Sequence, residues 1–254
     1  MLDKIIATKK EEIKNLEKKL DMSAVSPKER PDLSSFLDKK DGKIKVIAEI
    51  KKASPVKGVL AEDLDPIELA SVYEKNGAAA VSVITEEKYF LGSRSLLPQV
   101  KETVKIPVLR KDFIIDEVQL YETFFLGADL VLLIAAVLDY SNLLALCEKS
   151  IDLGLEPFLE IHDEDEALLI YDLPVRIVGV NNRNLRDFSV DIKNSLALSE
   201  LIPSSYFKAS ASGIKSPEEL ALLETYGYNA ALIGESLVRS GSPGDKLKAL
   251  LAYR

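Results

Sequence analysis

Three stretches of this chain repeat one pattern: NGAAAVSVIT (76–85), LGADLVLLIA (126–135) and YGYNAALIGE (226–235). Each has a glycine, two or three small or polar residues, and then an apolar run of strand length. A glycine that ends a helix in left-handed geometry and leads at once into a buried strand produces this pattern. Gly77, Gly127 and Gly227 fall 50 and 100 residues apart. One βα unit takes roughly 25 residues, so the step is two units of a βαβα array.

Five further strands fit between and around these three: VIAEI (46–50), IPVLRKD (106–112), LEPFLEI (155–161), VRIVGVN (175–181) and YFKASAS (206–212). Their apolar character is nearly continuous, as expected of parallel strands covered on both faces. Helix starts lie between them. Asp65-Pro66 and Ser216-Pro217 each offer an N-cap with proline at the first helical position. Residues 116–125 place Val118, Tyr121 and Phe125 at helical spacing. Eight strands with intervening helices predict an α/β fold of the (β/α)8 TIM-barrel type. A doubly wound sheet would want a first turn of the GxGxxG kind, which is absent. We expect one domain over 1–254, with a helical extension at 1–45 and the barrel at 46–254. Within the extension, residues 2–20 read as a Lys/Glu-rich helix with Leu2, Ile5, Ile6, Ile13 and Leu16 on one side. It either packs on the barrel or serves as a substrate lid.

The chain has 254 residues, 47% hydrophobic, and a net charge of −8. That surface repels phosphate backbones, so nucleic acid is not an expected partner. The N-terminus has no apolar signal core, and the longest apolar run, Leu130 to Leu138, is far short of the roughly 18 residues a membrane helix needs. No membrane association is expected, and a cytoplasmic location follows. The single cysteine, Cys147, allows neither an internal disulfide nor a cysteine metal cluster, and it reads as a buried helical thiol.

Barrel enzymes gather their polar groups at the C-terminal strand ends. In order these ends offer Glu49 and Lys51; Thr85, Glu86, Glu87 and Lys88; Lys111 and Asp112; Glu160 and His162; Asn181, Asn182 and Arg183; Ser210, Ser212 and Gly213; and Gly234, Glu235 and Ser236. Strand alternation puts Glu49 and Lys51 on one face, with Lys52 turned away. Lys51 and Lys111, each ending an apolar strand, suit a carboxylate ligand or, with a lowered pKa, proton donation. The small residues after the last two strands suit an anion such as phosphate. His162 opens the sequence HDEDEALL and reads as a structural residue of a helix start.

The motifs IAEIKKASP (47–55), TEEKYFLGS (85–93), VLRKDFIID (108–116), LEIHDEDEA (159–167), GVNNRNL (179–185), SGI (212–214) and LIGESLVR (232–239) resemble those of the indole-3-glycerol phosphate synthase family. The resemblance implies a carboxy-lyase of tryptophan biosynthesis. Such an enzyme closes the ring of 1-(2-carboxyphenylamino)-1-deoxyribulose 5-phosphate, releasing CO2 and water, with no metal and no organic cofactor. It implies Lys111 as general acid, Lys51 as partner of the aryl carboxylate and possible second acid, and Glu160 as the acid or base of dehydration. Glu49 and Asn181 would orient these groups, and Arg183 would be a further anion contact. Ser54, Ser212, Gly213, Gly234 and the Glu235 backbone match phosphate positions. Pro55, Phe90, Phe113, Leu132 and Ile134 match the apolar pocket for the anthranilate ring. One departure stands out: the family usually has Ser-Glu-Ser-Gly where this chain has Ser210-Ala211-Ser212-Gly213. A related sugar-phosphate isomerase barrel and a non-catalytic binder of anthranilate-like ligands are the alternatives. A monomer is expected, with a weak dimer as the other option.

Overall fold

The computed structural model describes residues 1–39, 42–62, 64–185 and 187–252. Eight parallel strands close on themselves: β1 (Lys45–Ile50), β2 (Ala80–Ile84), β3 (Val108–Lys111), β4 (Leu130–Ile134), β5 (Glu156–Ile161), β6 (Ile177–Asn181), β7 (Phe207–Ala211) and β8 (Ala230–Ile233). β1 pairs with both β2 and β8, which completes the barrel. All eight coincide with the strands expected from sequence; β1 begins one residue earlier, and the other seven are trimmed by a few residues at their ends.

Around them run α3 (Pro66–Lys75), α4 (Leu96–Thr103), α5 (Glu117–Phe125), α6 (Tyr140–Asp152), α7 (Glu164–Leu168), α8 (Lys193–Leu198), α9 (Pro217–Thr225), α10 (Glu235–Val238) and α11 (Pro243–Leu251). Asp65 accepts from the amides of Ile67 and Glu68 to start α3, and Ser216 and Glu219 form a reciprocal capping box on α9. Asp116 and Gln119 do the same for α5. Gly77, Gly127 and Gly227 have φ of +92°, +84° and +79°, the left-handed helix ends that the repeated motif demanded.

Period-two alternation divides each strand between two cores. Val46, Val81, Val108, Val131, Leu159, Val178 and Ala231 face the helices. Ile47, Ala80, Leu109, Leu130, Leu132, Ile134, Phe158, Ile177, Ala209, Ala211, Ala230 and Leu232 fill the barrel interior. Burial of each Leu or Ile side chain contributes about 1.5–3 kcal/mol to driving these layers together.

The N-terminal segment touches both ends of the barrel. Its first helix, α1 (Leu2–Leu16), is shorter than the 2–20 span read from sequence and packs Ile13 and Leu16 against Val118 of α5. Lys9 of α1 reaches Asp112 just after β3, so α1 lies beside the C-terminal mouth. The chain then descends. Arg30 meets Glu156 at the start of β5, and Arg176 donates to the Pro31 carbonyl. α2 (Leu33–Leu37) follows, and its Leu33, Phe36 and Leu37 join the interior core from the opposite end. Residues before β1 therefore supply part of the barrel's own packing.

Candidate active site

The C-terminal mouth opens into a cavity of about 640 Å³. Every residue expected at the site lines it: Glu49, Lys51, Ser54, Pro55, Phe90, Lys111, Phe113, Leu132, Ile134, Glu160, Asn181, Arg183, Ser212, Gly213, Gly234 and Glu235. The cause is alternation again. Lys111 comes two residues after inward Leu109, Glu160 two after Phe158, Asn181 two after Gly179, and Glu49 two after Ile47. Leu132 and Ile134 form an apolar floor, and the Phe90 and Phe113 rings stand 6.2 Å apart beside it.

Two cations face this apolar surface. Lys51 Nζ lies 3.6 Å from Glu49 Oε2 and 5.7 Å from the centre of the Phe90 ring. Lys111 Nζ lies 3.7 Å from Glu160 Oε2. Burial pulls Lys111 toward the neutral amine, but the carboxylates of Glu160 and Glu49 outweigh it, and its pKa stands above the ordinary lysine value. The lowered lysine pKa that sequence allowed is therefore not what the site builds. Lys111 is an ammonium at neutral pH.

Glu160 is the hub. Burial favours its neutral form, yet Lys111, His162 and Asn181 together pull its pKa down to about 2. Asn181 Nδ2 donates to Glu160 Oε1 at 3.0 Å, and Asn181 Oδ1 accepts from the Arg183 amide, which ties the arm of Arg183 to the same cluster. Oε2 of Glu160 is buried and receives no hydrogen bond from the described residues. His162, read from sequence as part of a helix start, does bind Glu166 of α7, but its Nε2 also sits 3.4 Å from Glu160 Oε1. That second contact is an addition to the sequence reading.

The small-residue turns form the opposite wall. Ser212 and Gly213 both take left-handed backbone angles, φ +70° and +86°. Val190 packs on Gly213, bringing the loop after β6 over this turn. At Gly234 a side chain would collide with the Glu49 carboxylate, so the glycine there also makes room for a site residue. Ser54 Oγ accepts from the Lys57 amide at 3.2 Å and holds the turn after β1. Lys57 pairs with the Glu235 carboxylate, and Arg239 lies 3.7 Å from the same group. Lys57 and Arg239 line the cavity but were not anticipated: Lys57 reaches Glu235 from 178 positions away, and Arg239, inside the LIGESLVR motif, carries no sequence signal beyond its i,i+4 spacing from Glu235. Met1, and Leu2 and Ile5 of α1, also line it.

Several other strand-end groups are taken up by partners of their own. Asp112 and Thr85 are engaged with Arg110 outside the barrel wall. Asn182 and Ser210 belong to a buried network with Ser195 under α8. Glu86 accepts from the amides of Tyr89 and Phe90 and so shapes the loop that carries the Phe90 ring. Ala211, 2% exposed, occupies the position where its motif usually has a carboxylate. Among the described residues no group of three or more His, Cys, Asp or Glu side chains is placed to hold a metal ion, and no helix is long and apolar enough to cross a membrane.

Fold and site together define a (β/α)8-barrel enzyme for a small anionic molecule with an apolar part. The barrel is similar to solved structures of distant proteins: 3-hexulose-6-phosphate synthase from Salmonella typhimurium, 16% identical, TM-score 0.66, covers 82% of this chain and 96% of its own. Curated relatives are much nearer. Indole-3-glycerol phosphate synthase of Ruminiclostridium cellulolyticum is 46% identical over 98% of both chains. The protein of that name from Carboxydothermus hydrogenoformans is 42% identical over 99% of both. The family model described as indole-3-glycerol phosphate synthase matches residues 2–250, and the chain belongs to that family.

Proposed function

We infer that this cavity closes the ring of 1-(2-carboxyphenylamino)-1-deoxyribulose 5-phosphate, giving indole-3-glycerol phosphate, CO2 and water. The observation that carries the reading is two lysine–carboxylate pairs, Lys111–Glu160 and Lys51–Glu49, set beside an aromatic wall, with Oε2 of Glu160 left without a hydrogen bond from the described residues. Ring closure makes a carbon–carbon bond from the aryl carbon bearing the carboxylate to the ketone carbon. The ketone oxygen must gain a proton as the bond forms. Lys111, charged and buried, is the donor in this reading. Lys51 holds the aryl carboxylate next to Phe90 until CO2 departs and restores part of the ring's electron density.

Dehydration then expels the former ketone oxygen as water and removes the hydrogen from the nitrogen-bearing carbon. Glu160, ionised and with Oε2 free of hydrogen bonds from the described residues, takes that proton, while Lys51, or Lys111 once it has regained from solvent the proton it gave the ketone, protonates the leaving hydroxyl. Glu49 and Asn181 fix the orientation of Lys51 and Glu160. Leu132, Ile134, Pro55, Phe90 and Phe113 would hold the anthranilate ring. Ser54, Ser212, Gly213, Gly234 and the Glu235 amide would hold the phosphate. Lys57 and Arg239 neutralise the Glu235 carboxylate, which would otherwise repel that phosphate. In this reading the protein acts as a monomer in the cytoplasm.

The deciding assay adds the carboxyphenylamino deoxyribulose phosphate to purified protein and follows indole fluorescence. Indole glycerol phosphate formation with one CO2 per turnover is the expected outcome. Binding without product, or rearrangement without CO2, refutes the reading.

A further inference from the structure

His162 stands beside Glu160 in a way the ring-closure chemistry does not use. It leaves the end of β5 one residue after Ile161 and turns its ring back along the strand. Nε2 lies 3.4 Å from Glu160 Oε1, an ion-pair distance without hydrogen-bond alignment. On the other side Nδ1 lies 3.1 Å from Glu166 Oε2. That same Glu166 oxygen accepts the backbone amide of His162 at 2.7 Å, so one carboxylate fixes both the main chain and the ring. Glu166 is in turn held by the α7 cap, where Asp163 accepts its amide. Asn194 of α8 donates to the His162 carbonyl from a third direction. The imidazole side chain is 9% exposed and has no freedom to leave this position.

We propose that His162, clamped by Glu166, is a positioning residue that keeps Glu160 ionised and turned toward Lys111. The proposal rests on the reading of Glu160 as the dehydration base. Four groups then stand in a row with alternating charge: Glu166 carboxylate, His162 imidazolium, Glu160 carboxylate, Lys111 ammonium. A carboxylate facing two cations holds its negative charge against burial. A histidine between two carboxylates holds its positive charge in the same way. The charged groups facing the ring are Glu160 from β5 and Glu166 from α7, with the neutral amides of Asn181 and Asn194 from β6 and α8. Consistent with this, burial lowers the His162 pKa but the two carboxylates carry it up to about 9. His162 exchanges no proton during turnover. It sets the protonation state of the group that does.

The chain holds one histidine, so its imidazole can be titrated by NMR without an assignment problem once any purification tag is removed. In the wild type the lone imidazole should titrate near 9. Glu166→Gln keeps the hydrogen-bond acceptor but removes the charge, and should lower that midpoint by about 1–3 units. Glu160→Gln should lower it by a similar amount. In parallel, His162→Gln should move the acid limb of the kcat profile up by about 1–3 units with KM little changed. A merely structural histidine would change melting temperature and leave both titrations in place. An imidazole midpoint near 6.5, or one that ignores both carboxylate variants, overturns the coupling. A shifted midpoint together with wild-type turnover in Glu160→Gln keeps the coupling and overturns the role of Glu160. If His162→Gln does not fold, the imidazole midpoints of wild type, Glu166→Gln and Glu160→Gln carry the test alone, and a midpoint that none of them moves overturns it.

Discussion

Arg110 and Asp112 leave β3 on one side of the wall and Lys111 on the other, and the two charge clusters they join are built differently. Outside, Arg110 spends its five donors on Thr85, the Gln119 carbonyl, Thr123, Asp112 and Glu122, at 2.6–3.2 Å. Asp112 also takes Lys9 of α1 at 2.8 Å. Inside, Lys111–Glu160, Lys51–Glu49 and His162–Glu160 stand at 3.7, 3.6 and 3.4 Å, the first two too long for a hydrogen bond and the third without the alignment for one. Both clusters are largely buried. The outer one has its partners already and serves to fix α1 and α5 against the barrel. The inner one is paired by charge but not saturated by hydrogen bonds, which leaves lone pairs and N–H groups for a substrate. Saturation, more than charge or burial, separates a structural ion network from a chemical one here.

The largest expected effect comes from breaking the inner cluster at Lys111. Lys111→Ala should cut kcat by about 10² to 10⁴ in protein that still folds. Retention of more than about a tenth of kcat would remove the general-acid role. Breaking the outer cluster should do the reverse. Arg110→Met strands the buried Asp112 and Glu122, and should cost about 3–5 kcal/mol in stability measured by urea unfolding. If instead the folded enzyme turned over slowly at unchanged stability, the division between the two clusters would be wrong.

Stability against pH separates the clusters further. His162 has a folded pKa of about 9, raised above its unfolded value. Its contribution is therefore complete below about 6.5 and is lost as pH rises toward 9, about 3 kcal/mol. Glu160, lowered to about 2, contributes above its unfolded value and loses that contribution as pH falls from about 4.5 toward 2. In the outer cluster Asp112 is lowered and Lys9 raised, so neither titrates between about pH 6.5 and 9. Unfolding free energy should thus decline between pH 6.5 and 9 in the wild type and stay flat there in His162→Gln. Equal slopes for the two proteins would show that the decline arises elsewhere.

The smallest effect is expected at Ala211, which faces the cavity between Asn181 on β6 and Leu232 on β8. With Glu49 and Glu160 already opposite two lysines, the enzyme should be active with alanine there. Ala211→Glu should raise the alkaline limb of kcat by less than about one unit, since a further carboxylate favours the Lys111 ammonium. An unchanged limb would show that position 211 is not coupled to the inner cluster. No turnover in the wild type, with turnover gained in Ala211→Glu, would favour a binding protein.

Much of this molecule was legible before folding was considered. The glycine-led runs at fixed step announced the βα array, because a left-handed helix end followed by a buried strand leaves few other residues possible. Within each strand the two-residue period then chose the inward set, and motif resemblance named its members, from Glu49 to Gly234. Such features are local: backbone geometry and side-chain alternation are properties of a short stretch. What tertiary structure decided is the sum of long-range terms. The pKa of Lys111 rises because carboxylates from β5 and β1 outweigh its burial, a balance no single strand contains. His162 becomes a neighbour of Glu160 because α7 turns its ring back, where sequence alone saw a helix start. Lys57 and Glu235 meet across 178 positions of chain. The extension, read as a helix beside the barrel, supplies Ile5 to the mouth and Leu33, Phe36 and Leu37 to the far end, because a closed barrel leaves an apolar opening at each end to be covered.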